Sequence, residues 1–161
     1  MTASNPLRLA AILLSSAALF SASLACAQET APAANPAGAE PIAGDSVYKA
    51  FHEQAGIDRI IDDFVNRVTT DPRIAERFKG ANLVRLRLEL KAQVCYLTGG
   101  PCAYTGKDMK TAHAGMDLKN FDFNALAEDL QLSMDKEQVS FPAQNRLLAK
   151  LAPMQRAIVT K

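Results

Sequence analysis

The residues with the most chemistry in this sequence gather in one stretch, Gly99-Gly100-Pro101-Cys102-Ala103-Tyr104-Thr105-Gly106-Lys107-Asp108-Met109-Lys110-Thr111-Ala112-His113-Ala114-Gly115. His113 is one of two histidines in the chain, and it stands where a Gly- and Pro-bearing loop gives way to a short helical turn. A neutral imidazole is a good ligand for iron. Spacing alone leaves two readings open, an iron ligand or an ordinary packed or surface residue. The other histidine, His52, precedes a helical stripe and reads as a surface residue. Cys95 and Cys102 could close a disulfide or remain two thiols; with two histidines elsewhere they make a poor zinc set.

The elements that must position this stretch read as helices. Ile57, Ile60, Ile61, Phe64, Val65 and Val68 fall on one face of an α-helix, with Asp58, Asp62, Asp63, Asn66 and Arg67 on the other. Thr70-Asp71-Pro72 ends it and opens a short turn through Ile74 to Phe78. A second amphipathic helix spans Asn82 to Leu97, with Leu83, Leu86, Leu90, Gln93, Val94 and Leu97 on its stripe. Leu88 and Cys95 widen that arc, so cover is expected on more than one side. Gly99-Gly100-Pro101 must stop it. A third long helix opens at Phe121 and Phe123 and carries Leu126, Ala127, Leu130 and Met134. The last begins near Phe141-Pro142, and Pro153 should kink or split it. No useful β-alternation appears, so the fold class is all-α.

Length and composition set the frame. The chain has 161 residues, enough for one ordinary domain. Residues 1–27 combine a basic start at Arg8, an apolar Ala/Leu/Ser run and a small-x-small end at Ala25-Cys26-Ala27, which is the pattern of a signal peptide cut after Ala27. A membrane anchor and lipid attachment at Cys26 are the alternatives. Residues 28–45 are rich in Ala, Pro and Gly without periodicity and read as a flexible linker. The domain is expected over 46–161. Loss of the leader removes Arg8 and leaves 17 basic and 17 acidic side chains. Neither nucleic acid nor an anionic membrane is an indicated partner, because each needs a basic patch. Export to an oxidising compartment, most simply a bacterial periplasm, favours the Cys95–Cys102 disulfide.

From about Ser46 onward the layout resembles the truncated haemoglobins, most closely those of group I. The resemblance rests on Tyr96-Leu97-Thr98-Gly99-Gly100 and then Tyr104-Thr105-Gly106-Lys107-Asp108-Met109-Lys110-Thr111-Ala112-His113. The family shows a paired Gly closing its distal helix, then an aromatic, Gly, a basic residue, Met and an Ala-His ending. The resemblance implies a two-over-two helical sandwich around one haem b per chain. It makes His113 the proximal iron ligand and puts Met109 against the haem face. Lys107 would reach a propionate, although it also reads as a solvated lysine. Phe78 would pack on the porphyrin, and Phe64 would line the pocket.

The departures bear on mechanism. Group I proteins usually hold oxygen through a Tyr on the first long helix and polar residues on the distal helix; here those positions read Val65, Leu86 and Leu90. The pocket above the iron is therefore expected to be apolar, with Gln93 or Glu89 as the polar candidates. The function so implied is reversible binding of oxygen, nitric oxide or carbon monoxide, with a reductase or other electron donor as a further partner. A nitric oxide dioxygenase, a weak peroxidase and a haem carrier are the competing readings.

Overall fold

The computed structural model describes residues 35–161, and every regular element among them is helical. The expected leader, with Cys26, and the first part of the expected linker lie outside the described residues. In chain order the elements are α1 (Ser46–Ala50), α2 (Glu53–Thr70), a 3-10 turn (Ala75–Phe78), α3 (Leu83–Leu97), α4 (Met109–Ala112), α5 (Asn120–Lys136), α6 (Phe141–Leu151), a second 3-10 turn (Ala152–Met154) and α7 (Gln155–Ile158).

Helix α2 is the central element and packs against both α3 and α5. All six apolar residues of its stripe, Ile57, Ile60, Ile61, Phe64, Val65 and Val68, are buried. Burial of a side chain of this size contributes roughly 1.5–3 kcal/mol, so this face anchors the core. The turn before α2 is tight. His52 and Glu53 take left-handed backbone angles, and a Cβ on Gly56 would collide with the Phe51 carbonyl oxygen. His52 itself is exposed, with Nε2 3.0 Å from the carbonyl oxygen of Glu137.

Caps and breakers act where their residue types require. Asn82 caps α3 by accepting from the Arg85 N–H at 3.0 Å. Asp71 accepts from the Arg73 N–H at 2.9 Å and starts the turn that leads to Phe78. Pro153 lacks an N–H and splits the last helical pattern, so α6 passes through the second 3-10 turn into α7. Asp45 occupies the N-cap of α1. One local expectation differs. Leu88 is 64% exposed, because α3 is buried only through its C-terminal half, at Gln93, Val94, Cys95 and Leu97.

The expected flexible linker is corrected for its described part. Residues 35–45 pack onto the helices, with Ala37 and Ile42 buried. Ile42 N–H donates to the Leu97 carbonyl at 2.9 Å, and the backbone at Ile42 and Gly44 passes so close to Gly99 that a Cβ there would strike both carbonyl oxygens. Gly99 also has φ +85°, so the pair Gly99-Gly100 ends α3 and admits this crossing segment as well. The segment's bonds run to backbone groups and to the side chains of Tyr96 and Gln93, all far along the chain, so no local pattern advertises them. No helix among the described residues is long and apolar enough to cross a membrane.

Candidate functional site

A cavity of about 650 Å³ lies among α2, α3, α4, α5, α6 and α7. Its size is ordinary for a small-molecule or cofactor site. Its walls are mainly apolar: Ile61 and Phe64 from α2, Leu86 and Leu90 from α3, Leu126 and Leu130 from α5, and Leu148 and Leu151 from α6. His113 is half-buried on this wall, directly after the single turn of α4. That turn forms because Asp108 accepts from the Thr111 N–H at 2.9 Å, and the same bonds to Thr111 hold its carboxyl below the usual range.

The imidazole is oriented by its own turn. Nδ1 lies 2.8 Å from the Met109 carbonyl oxygen, which also accepts the His113 backbone N–H at 3.2 Å. A carbonyl can only accept, so Nδ1 carries the proton and donates. The neutral ring then keeps its lone pair on Nε2, the tautomer that ligates a metal. Among the described residues there is no cluster of three or more acidic, Cys or His side chains suited to a bare ion. One oriented imidazole in a large apolar cavity fits an iron already held in an organic ring.

Nearly all of the site residues named from sequence meet here. Phe64, Phe78, Leu86, Glu89, Leu90, Gln93, Lys107, Met109 and His113 all line the one cavity. Val65 does not. It is fully buried in the core beside Phe64, and its short side chain is absent from the cavity wall. Gln93 lines the cavity, but its amide is committed elsewhere: Nε2 donates to the Ala37 carbonyl at 2.9 Å and lies 3.5 Å from Met109 Sδ. Glu89 is half-buried and lies 3.5 Å from Arg85 Nε. Cys95 and Cys102 are joined by a disulfide, which fastens the end of α3 to the loop leading toward His113.

Sequence reasoning missed several wall residues. Tyr104 lines the cavity and donates its hydroxyl to the Lys107 carbonyl at 2.9 Å. Burial, then the charges of Glu89 and Asp108, push its pKa up, so it stays a donor. A Cβ on Gly106 would collide with both the Glu89 carboxylate and the Tyr104 hydroxyl, so this glycine lets the loop close over the wall. Met154 and Ile158, beyond the Pro153 break, also line the cavity. Three cations reach the lining. Arg77 is held by Asp122, and Arg85 neighbours Glu89. Lys107 is exposed and makes no ion pair among the described residues, which leaves it available to an anionic group at the rim.

Comparison with known proteins places this geometry. The family described as bacterial-like globin matches residues 46–160. The group 1 truncated hemoglobin GlbN of Nostoc commune is 30% identical over 116 residues, covering 72% of this chain and 98% of that protein. The group 1 truncated hemoglobin of Tetrahymena thermophila is 32% identical over 95 residues, covering 59% and 78% respectively. In fold, the chain is similar to the Fe(III) form of truncated hemoglobin from Tetrahymena pyriformis, with TM-score 0.68 at 24% identity over 71% of this chain and 98% of that one. It is also similar to a 2/2 hemoglobin from a Synechococcus species, solved in the cyanomet state with covalently attached heme, with TM-score 0.66 at 21% identity over 72% and 99%. An all-helical two-over-two fold, an apolar cavity and one imidazole with a fixed tautomer agree with these matches, and the chain belongs to the bacterial-like globin family, with haem as its cofactor.

Proposed function

We propose that this protein reversibly binds a diatomic gas, oxygen, nitric oxide or carbon monoxide, at a haem b iron held by His113. The observation that supports this reading is the Nδ1–Met109 hydrogen bond, which leaves Nε2 free to ligate a metal in a cavity also walled by Leu86 and Leu90. When bound, haem supplies an iron coordination position for the gas. The protein's part is to fix the imidazole, exclude water with aliphatic side chains, and offer Lys107 to a propionate.

The distal wall sets the ligand preference. A hydrogen bond to partly anionic bound oxygen contributes roughly 1.5–3 kcal/mol. Leu86 and Leu90 cannot donate one, and Gln93 already donates to Ala37. Oxygen release is therefore about 10- to 150-fold faster than from a pocket with that bond, while carbon monoxide and nitric oxide lose less. The same lack of a polar acid–base pair disfavours the dioxygenase and peroxidase readings. A periplasmic setting is supported by the leader-like composition of residues 1–27 and by the Cys95–Cys102 disulfide. A reductase or other electron donor would keep the iron ferrous there.

Optical spectra in the ferric, ferrous and carbon-monoxide forms test the reading. Wild type should load hemin and give a Soret band that shifts with carbon monoxide, and His113→Ala should lose normal five-coordinate ligation. Unchanged spectra in His113→Ala would remove His113 as the ligand.

A further inference from the structure

The segment from Asn35 to Gly38 precedes the globin match at 46–160, yet it contributes to the haem cavity indirectly. Asn35 folds it into a compact turn: its Oδ1 accepts from the Ala37 N–H at 2.9 Å, and its carbonyl accepts from the Gly38 N–H at 2.8 Å. Asn35 Nδ2 donates to the Tyr96 hydroxyl at 2.9 Å and so fastens the turn to α3. Ala37 is completely buried, and its carbonyl is the acceptor for Gln93 Nε2. Gly38 has φ +87°, and a Cβ there would lie 2.7 Å from Met154 Sδ, so the turn is seated against another cavity residue.

Gln93 is a polar side chain on the cavity-facing stripe of α3 that also carries Leu86 and Leu90. Left without the Ala37 carbonyl, its buried amide would keep only weak thioether acceptors, Met109 Sδ at 3.5 Å and Met154 Sδ at 3.9 Å, so a stronger acceptor would draw it. A partly anionic gas ligand is such an acceptor. We infer that the Asn35–Gly38 turn is a specificity-determining element that holds the Gln93 amide away from the ligand and keeps the distal pocket apolar. This deepens the gas-binding reading and rests on it. Ala37 acts through its backbone and touches no reacting atom, so the turn has a positioning role.

The test uses the full chain loaded with haem, and carbon monoxide and oxygen as probes. Gly38→Val places a β-branched residue at a left-handed angle and against Met154, which displaces the turn. Asn35→Ala is a milder variant that removes the turn's side-chain bonds and leaves its backbone angles unstrained. Side-chain NMR of Gln93 reports whether its amide protons remain protected from exchange. The expected result is loss of that protection, a lower carbon–oxygen stretching frequency of bound carbon monoxide, and oxygen release slowed by about ten-fold or more. Adding Gln93→Leu to either variant should restore fast release and the wild-type stretch, which general loosening of the fold would not do. The inference is overturned if Gln93 loses protection while stretch and release stay at wild-type values. It is equally overturned if both variants leave Gln93 protected. A wild-type protein that loads haem but gives no carbon-monoxide band would defeat the gas-binding reading, and this inference with it.

Discussion

Arg77 and Asp122 form a two-pronged ion pair, with Nε 3.2 Å from Oδ1 and Nη2 3.1 Å from Oδ2. It ties the turn that carries Phe78 to the first turn of α5, and Arg77 Nη1 also donates to the Met116 carbonyl at 3.3 Å, three residues past His113. One guanidinium therefore links two elements of the cavity wall to the loop that follows the imidazole.

Loss of this pair should be felt as stability with a pH signature. Burial raises the Asp122 pKa, but the Lys119 N–H and Arg77 outweigh it, so the carboxyl lies below its ordinary value. A depressed carboxylate contributes stability above its unfolded pKa and loses it as the pH falls through the folded pKa. Arg77→Met should therefore cost about 2 kcal/mol at pH 7, since bonds to charged groups are worth roughly 1.5–3 kcal/mol. The difference from wild type should shrink in acid. Urea unfolding at both ends of that range checks it; an equal gap at all pH values would count against the ion pair as the cause.

The distal wall offers a second test. Leu86→Gln introduces a hydrogen-bond donor at a position that lines the cavity. Oxygen dissociation measured by stopped flow should slow by about ten-fold or more, with a smaller change for carbon monoxide. Equal changes for both gases would indicate steric blocking.

What the residues disclosed beforehand follows from periodicity and from obligatory breakers. Six apolar positions at helical spacing made α2 readable, Asn82 marked the start of α3, and Pro153 marked the split after α6. His113 was legible because its motif is local. Val65 was misplaced because sharing a helical face with Phe64 fixes direction only roughly, and a valine is too short to line what a tyrosine could. Gln93 was read as a distal candidate because its position on the stripe is local, whereas its partner Ala37 lies 56 positions away and accepts through the backbone. The segment 35–45 looked free for the same reason: its main-chain bonds, its bonds to the Tyr96 and Gln93 side chains and its close approach to Gly99 all reach residues distant in sequence, which composition does not encode.

Asp129 is a buried carboxyl whose Oδ2 has no hydrogen-bond partner in the protein. Burial, then the negative charge of Asp71, raise its pKa; Arg73 and Arg67 oppose this only in part, and Glu128 adds to the rise. A raised acid pKa means that the folded state holds a proton the unfolded chain has released, so stability falls as pH rises from the ordinary 3.8 toward the folded value. Asp129→Asn keeps the shape and removes the charge. It should stabilise the protein at pH 7 by about 1 kcal/mol, the low end of the cost of an unsatisfied buried polar group, and have little effect below pH 3.8. Denaturant midpoints across that range would show it, and a destabilised Asn variant at neutral pH would mean that the carboxylate is held by water or by the two arginines.

The Cys95–Cys102 bridge closes a short loop, with the cysteines seven positions apart, between the buried end of α3 and the approach to Tyr104 and Lys107. By chain entropy such a loop contributes roughly 2.5 kcal/mol, before any strain is counted. Cys95→Ala with Cys102→Ala should lower stability by about that amount, and a thiol reductant should lower wild type to the level of the double variant without affecting the variant itself. The haem site should respond too, because the loop so fastened carries Tyr104 onto the cavity wall and leads into the turn that orients His113. Hemin loss from the reduced protein to an apo-acceptor is therefore expected to be faster than from the oxidised form. Equal loss rates alongside a lowered melting temperature would confine the bridge to the support of α3.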